Sequence, residues 1–274
     1  MKTPLPPITH LRTRPVAVGH WRAFLAVAPA LERMDAAVRL VRQTAGRKSV
    51  AITTWASFAS MWLIPRMEEF QRDNPDIDIR MDASDAMVDL ETADVDLALR
   101  SAVPGSQPAG AERLFGEQLA VVASPWLLKS MPPIHEPADV ARFTLIEAGD
   151  AHRLPYFELI TWRRWFQVHG LEKLQPRRWL YFNYAQQIAQ AARAGQGLAL
   201  ARMPLVAQSL ASGDLGEVLP GHRLDSPLAY WLVVGPRSGQ RPEIQAFCAW
   251  LLLQAETTRR AIGEATPVTT PDTP

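Results

Sequence analysis

The sequence predicts an α/β fold with a parallel-type sheet, and three observations predict it. Residues 49–81 run from a short β-branched stretch through a helical one to a second strand, so the apolar period switches from 3.6 to 2. Strand-like and helix-like segments then alternate along the chain, the order that builds a layered α/β sheet rather than a bundle or a sandwich. A length of 274 residues with 47% hydrophobic content is enough to bury a sizeable core in one large or two small domains.

Taken in order, Phe24, Val27, Leu31, Met34, Val38 and Val41 recur at spacings of three and four, the seam of a packed or coiled-coil helix. A helix lying on its own domain accounts for so short a repeat as well. Pro29 starts or kinks this helix, which makes the seam secure from Leu31 onward. Strand 49–54 comes next, then a helix over 57–73 with Leu63, Met67 and Phe70 on one side, ending at Asn74-Pro75. Strand 77–82, a short helix 84–91, strand 95–100 and a long extended run 112–124 follow. After Ser124 the series continues with strand 143–147, helix 160–169, strand 178–183, helix 184–194, strand 197–202 and helix 203–212. Leu228 to Val234 form a near-continuous apolar strand, and a helix over 240–257 closes the series. The end, GEATPVTTPDTP, is polar and Pro/Thr-rich and reads as a disordered tail over 263–274.

In open α/β sheets ligands sit beyond the carboxyl ends of strands, where loop side chains and backbone donors converge. Those ends carry Thr54, Trp55 and Ser57, Arg100 and Ser101, Ser124, Glu147, and Asn183. Thr54, Ser57 and Ser124 offer hydroxyls to a carboxylate, Ser57 with the aid of a helix N-terminus, and Arg100 offers a bidentate partner. Ordinary N-capping explains Ser57 and Asn183 equally well, a surface ion pair explains Arg100, and a core position explains Trp55.

Composition and motifs exclude several classes. Lys+Arg 29 against Asp+Glu 28 gives no global pull toward nucleic acid or an anionic membrane. The single cysteine, Cys248, rules out an internal disulfide framework and a multi-cysteine metal site, and its apolar helix suggests a core position. His10, His20, His135, His152, His169 and His222 show no metal-binding spacing, so neither a metal nor a cofactor is expected. There is no Gly-x-Ser-x-Gly and no Walker loop, and Gly195-Gln196-Gly197 is a helix stop before a strand; an enzyme is not expected. The N-terminus has no apolar core typical of a secretory signal and no stretch is long enough to span a bilayer, so a cytoplasmic location without membrane partners is expected. Trp162, Arg163, Arg164, Trp165, Lys173, Arg177, Arg178 and Trp179 interleave basic and aromatic side chains as single-strand binders do. A helix with packed tryptophans and solvated arginines explains them with less.

Several runs together resemble the LysR-type transcriptional regulators, in the glycine-cleavage-activator subgroup. They are Trp62-Leu63-Ile64-Pro65-Arg66-Met67 with Phe70 and Asn74-Pro75-Asp76-Ile77, then Val95-Asp96-Leu97-Ala98-Leu99-Arg100, Ser124-Pro125, Ala191 to Leu200, and Phe247 to Leu251. The resemblance covers residues 20–257 and implies a periplasmic-binding-protein-like effector domain over 47–262. That domain is two Rossmann-like subdomains joined by two crossover strands, subdomain I being 47–124 and 224–262 and subdomain II 125–223. It also implies that residues 20–46 form a linker helix that dimerises through the seam above. Leu5 to Arg12 resemble the opening of the family's DNA-binding headpiece, but residues 1–19, with four prolines, are too few to fold as a helix-turn-helix. The implied protein is a homodimer or homotetramer that senses a small-molecule effector, an organic or amino acid. It would reach promoter DNA only where a complete headpiece is supplied. A solute-binding protein of a transporter, and a headless sensor acting through mixed oligomers, share the same cleft logic.

Overall fold

A computed structural model of the chain describes residues 48–84, 86, 88–149 and 157–264. The seam Phe24, Val27, Leu31, Met34, Val38 and Val41, the 1–19 and 20–46 segments, and the tail from 265 lie outside the described residues.

β1 (Lys48–Thr54) is buried along most of its length, as a β-branched strand flanked on both sides must be. It pairs in parallel with β2 (Ile77–Ala83) and with β3 (Leu97–Ala102). Between β1 and β2 runs helix α1, made of Ala56–Phe58, a π-helical turn Ala59–Leu63, and Ile64–Asp73. β4 (Glu112–Ala123) leads to the short α2 (Pro125–Ser130), and β5 (Thr144–Ala148) to α3 (Trp162–Val168). Then come β6 (Arg178–Phe182), α4 (Ala185–Arg193), β7 (Leu198–Arg202), α5 (Met203–Ala211), β8 (Gly216–Val218), β9 (Leu224–Val234) and α6 (Pro242–Ile262).

The strands form one mixed sheet in the order β2-β1-β3-β9-β4-β7-β5-β6, with β8 beside β4. Both ends of the sheet are parallel, whereas β3–β9, β9–β4 and β4–β7 are antiparallel, so the parallel sheet expected from alternation is interrupted at its centre. The two long strands β4 and β9 make that centre. Irregularities between Arg113 and Phe115 and between Gly116 and Gln118 break their register.

Apolar side chains divide accordingly. One cluster joins Val50, Ile52, Phe58, Trp62, Leu97 and Leu99 to Phe247 and Leu251 of α6. Its centre is aromatic, with Phe58 at 4.9 Å from Trp62 and 5.1 Å from Tyr230 between ring centroids. In the other half, strand alternation feeds two clusters. Ile146 joins α4 and α5 on one face, while Leu145 joins Trp162, Trp165 and Phe166 of α3 on the other.

The sequence expectations need three corrections. The helix expected at 84–91 is not formed by the residues described there: Asp89 instead closes a turn, accepting from Glu91 N at 2.9 Å and Thr92 Oγ1 at 3.1 Å. α2 and β8 were not foreseen. The last helix runs on to Ile262; of the two residues expected to open the tail, Gly263 caps it in a left-handed turn and Glu264 pairs with Arg113. Cys248, expected at the core from its apolar helix, is partly buried on α6 and packs against the first cluster, and burial pushes its thiol up to about 11.

Candidate functional site

A cavity of about 120 Å³ lies where the carboxyl ends of β1 and β5 face each other across the β4–β9 centre. Trp55, Ser57 and Phe58 line it from the first half, Glu147, Asn183 and Ile188 from the second, and Ser101, Arg202 and Tyr230 from the strands between. This is the strand-end geometry expected of a ligand cleft.

Ser57 links the two walls. Its hydroxyl accepts from the Ala185 backbone N–H at 3.1 Å, the first residue of α4, and donates to the Gln186 side chain. Ser57 therefore neither caps its own helix nor stands open, because α1 has no side-chain cap at its start. Asn183 sits at the mouth, with its backbone N–H donating to Gln187 Oε1 at 3.2 Å. Trp55 carries the Arg100 guanidinium 4.6 Å from its ring centroid, and its Nε1 is buried without a partner among the described residues.

Three predicted residues are held by the scaffold rather than brought to the cavity lining. Thr54 Oγ1 donates to Leu99 O at 3.0 Å, tying β1 to β3. Ser124 caps α2 by accepting from Leu127 N at 3.2 Å. Arg100, 8% exposed, donates to Thr53 Oγ1 at 2.8 Å and to the carbonyls of Ser84 and Ala86 at 2.9 and 3.0 Å. It is thus buried rather than at the surface and is not part of this cavity's lining, and it organises the loop after β2. It lines a separate cavity of about 490 Å³ together with Trp55 and Ser101.

Glu147, at the end of β5, is partly buried; its oxygens accept from Ala148 N at 3.1 Å and from Trp162 N, at the start of α3, at 3.0 Å. Burial pushes its carboxyl up to about 7, against the pull of those two backbone donors.

Sequence reasoning missed a buried polar cluster under the cavity. Glu117 Oε2 accepts from Tyr230 Oη at 3.0 Å and Arg202 Nη1 at 3.2 Å, and Glu117 Oε1 accepts from Ser226 Oγ at 3.0 Å. Burial alone would lower the Arg202 guanidinium; the Glu117 carboxylate outweighs it and holds Arg202 above its usual range. The Tyr230 hydroxyl is pushed up by burial and by Glu117. Arg202 stands at the end of β7, where the strand-end rule would have found it. Glu117 is an acid in the interior of an otherwise mostly apolar strand, which was also a signal.

The basic-aromatic segment has the simpler explanation. Trp162 and Trp165 are fully buried, donating to Ile146 O at 2.9 Å and His222 O at 2.7 Å, and Arg163 and Arg164 are exposed, so neither ring is open to a base.

The family description "LysR substrate binding domain" matches residues 43–256. The chain belongs to the LysR family. The glycine cleavage system transcriptional activator of Escherichia coli K12 is 30% identical to this LysR chain over 236 residues, covering 85% of it and 73% of the activator. Among solved structures, the effector domain of the transcriptional regulator AmpR of Pseudomonas aeruginosa matches with a TM-score of 0.58 and 29% identity, over 78% of this chain and 98% of that domain. The regulatory domain of CrgA from Neisseria meningitidis shares the fold with a TM-score of 0.58 at 16% identity, over 77% of this chain and 100% of that one. The described residues of this LysR chain are thus the effector-binding domain of a LysR-type transcriptional regulator, an α/β fold with a mixed sheet.

Proposed function

We propose that this domain senses a small metabolite, an organic or amino acid, in the cavity between the strand ends. In this reading subdomain I (47–124 and 224–262) and subdomain II (125–223) change their relative placement with occupancy, and a homodimer or homotetramer passes the change to promoter DNA where a headpiece is present. The observation that carries it is the cavity itself, lined from both halves of the sheet and bridged by Ser57 to α4. Trp55, Ser57, Ser101, Glu147, Asn183, Arg202 and Tyr230 are the contacts proposed. Two observations support a cytoplasmic location: no helix among the described residues is long and apolar enough to cross a membrane, and the relatives are named as transcriptional activators.

Native mass spectrometry of the purified chain tests the reading, since it reports bound metabolite and subunit number together. Binding of a metabolite by the wild type, abolished by Ile188→Trp, which fills the cavity, is the expected result. A ligand retained by that variant would place sensing elsewhere.

A further inference from the structure

Among the described residues only two charged side chains line the cleft cavity, Arg202 and Glu147. Arg202 is already matched by Glu117, so it presents little net charge to an occupant. Glu147 is different: among the described residues no cation pairs with it, and its hydrogen bonds come from two neutral backbone donors. The remaining lining around it, including Phe58, Ile146, Ile188 and Leu200, is apolar and supplies no compensating charge. A carboxylate held at the wall of an apolar cavity without a counter-charge is complementary to a positive group.

From this charge balance we infer that the ligand of the cleft carries a protonated amine, which pairs with the Glu147 carboxylate while its apolar body fills the space between Phe58 and Ile188. The inference rests on the proposed cleft reading and narrows it to amine-bearing ligands, free amines or zwitterions. A simple organic acid is disfavoured, because its carboxylate would meet Glu147 with no unmatched cation among the described lining residues to offset the repulsion. Among the described residues the groups facing Glu147 are Arg202 across the cleft cavity, Glu158 on the turn before α3, and Arg163 and Glu172, which share with it a second cavity at the sheet edge. Burial, with a smaller push from Glu158, disfavours the charged form of Glu147, so a cation entering the cleft is drawn in most strongly once Glu147 ionises, near pH 7.

Calorimetric titration of the full chain with isobutylamine, isobutanol and isobutyrate tests this, because the three share one apolar body and differ in charge. The amine is expected to bind at least about tenfold more tightly than the alcohol or the acid at about pH 8. Its affinity should rise about tenfold from about pH 6 to pH 8 as Glu147 loses its proton. In Glu147→Gln the ratio of amine to alcohol affinity should collapse to about one. Equal affinities, a preference for the acid, or an amine preference undiminished in Glu147→Gln would each overturn the inference, and the wild-type ratios decide even if that variant folds poorly. A Glu147 that only caps α3 would change stability in Glu147→Gln with no amine preference in the wild type. Ile188→Trp separates the two readings. Acid binding that this variant abolishes overturns the amine and keeps the cleft, whereas probe binding that it leaves untouched overturns both.

Discussion

At the residue scale, Glu147 and Asp96 show opposite ways of holding a carboxylate away from water. The Glu147 carboxyl is raised from 4.5 to about 7, so the folded state holds its proton more tightly than the unfolded chain does. The resulting stability is fully present below the ordinary value and is lost as pH rises through about 7. The full shift corresponds to about 3 kcal/mol, reduced to about 2 kcal/mol by the solvent that still reaches this partly buried group. Glu147→Gln should therefore be more stable than the wild type by about 2 kcal/mol at about pH 8 and nearly equal to it at about pH 5, as read by urea unfolding. An equal effect at both pH values would refute the assignment. Asp96, by contrast, is fully satisfied: it accepts from Ala51 N at 2.9 Å, Ser238 Oγ at 2.6 Å and Arg241 Nη1 at 2.7 Å, fastening β1 and α6 to the start of β3. Asp96→Ala leaves the buried Ala51 N–H without its partner and takes one of two carboxylates from Arg241, which keeps Glu243, and should cost about 2 kcal/mol, visible as a lower urea midpoint with an unchanged slope.

At the scale of elements, the turn Gly195-Gln196-Gly197 decides how α4 hands over to β7. Gly195 takes φ 72°, and the ring of Trp126 from α2 lies over it, so α2, the helix the sequence did not announce, covers this turn. Gly197 has a different reason to lack a side chain: a Cβ there would meet the Thr144 carbonyl at the start of β5. Gly197→Ala must push β5 and β7 apart and should cost about 2 kcal/mol or more, measured by thermal unfolding, with Gln196→Ala as a near-neutral control. The long elements were legible because each carries its own period. α1 and α6 present apolar residues at helical spacing, β1 and β4 carry apolar runs that bury both faces, and packing follows the pattern. Short elements lack enough residues to show a period. α2 has a readable start in Ser124-Pro125, a cap followed by a proline in the first turn, yet six residues give no face to measure. At 88–91 the helical composition misled, because the Asp89 side chain bonds the backbone locally and competes with a helix.

At the scale of the whole molecule, the relation between the two halves of the sheet rests on the β4–β9 pair, on Leu205 of α5, which joins the first core cluster, and on polar contacts across the cleft. Ser57 supplies one of these by accepting from Ala185 N, a backbone donor that α4 itself cannot satisfy. Ser57→Ala should leave the core intact and free this donor, raising hydrogen exchange at the Ala185 amide about tenfold, which corresponds to about 1 kcal/mol. Unchanged exchange there would mean that the bridge contributes nothing to closure. The sequence by itself determined the alternation of elements, the family, and the neighbourhood of the cleft, because strand ends and apolar periods are local properties that one stretch of chain can display. It named Trp55, Ser57, Ser101, Glu147 and Asn183 at the cavity wall, but it also named Thr54, Arg100 and Ser124, whose polar groups the scaffold holds elsewhere. Only the tertiary structure decided which polar groups are already satisfied and which face the cavity with charge to spare. Glu117 and Arg202 are 85 positions apart, and Ser57 and Ala185 are separated by 128. No local pattern records such pairs, since the partner that neutralises a charge or takes up a hydroxyl is set by the path of the sheet and not by the neighbouring residues.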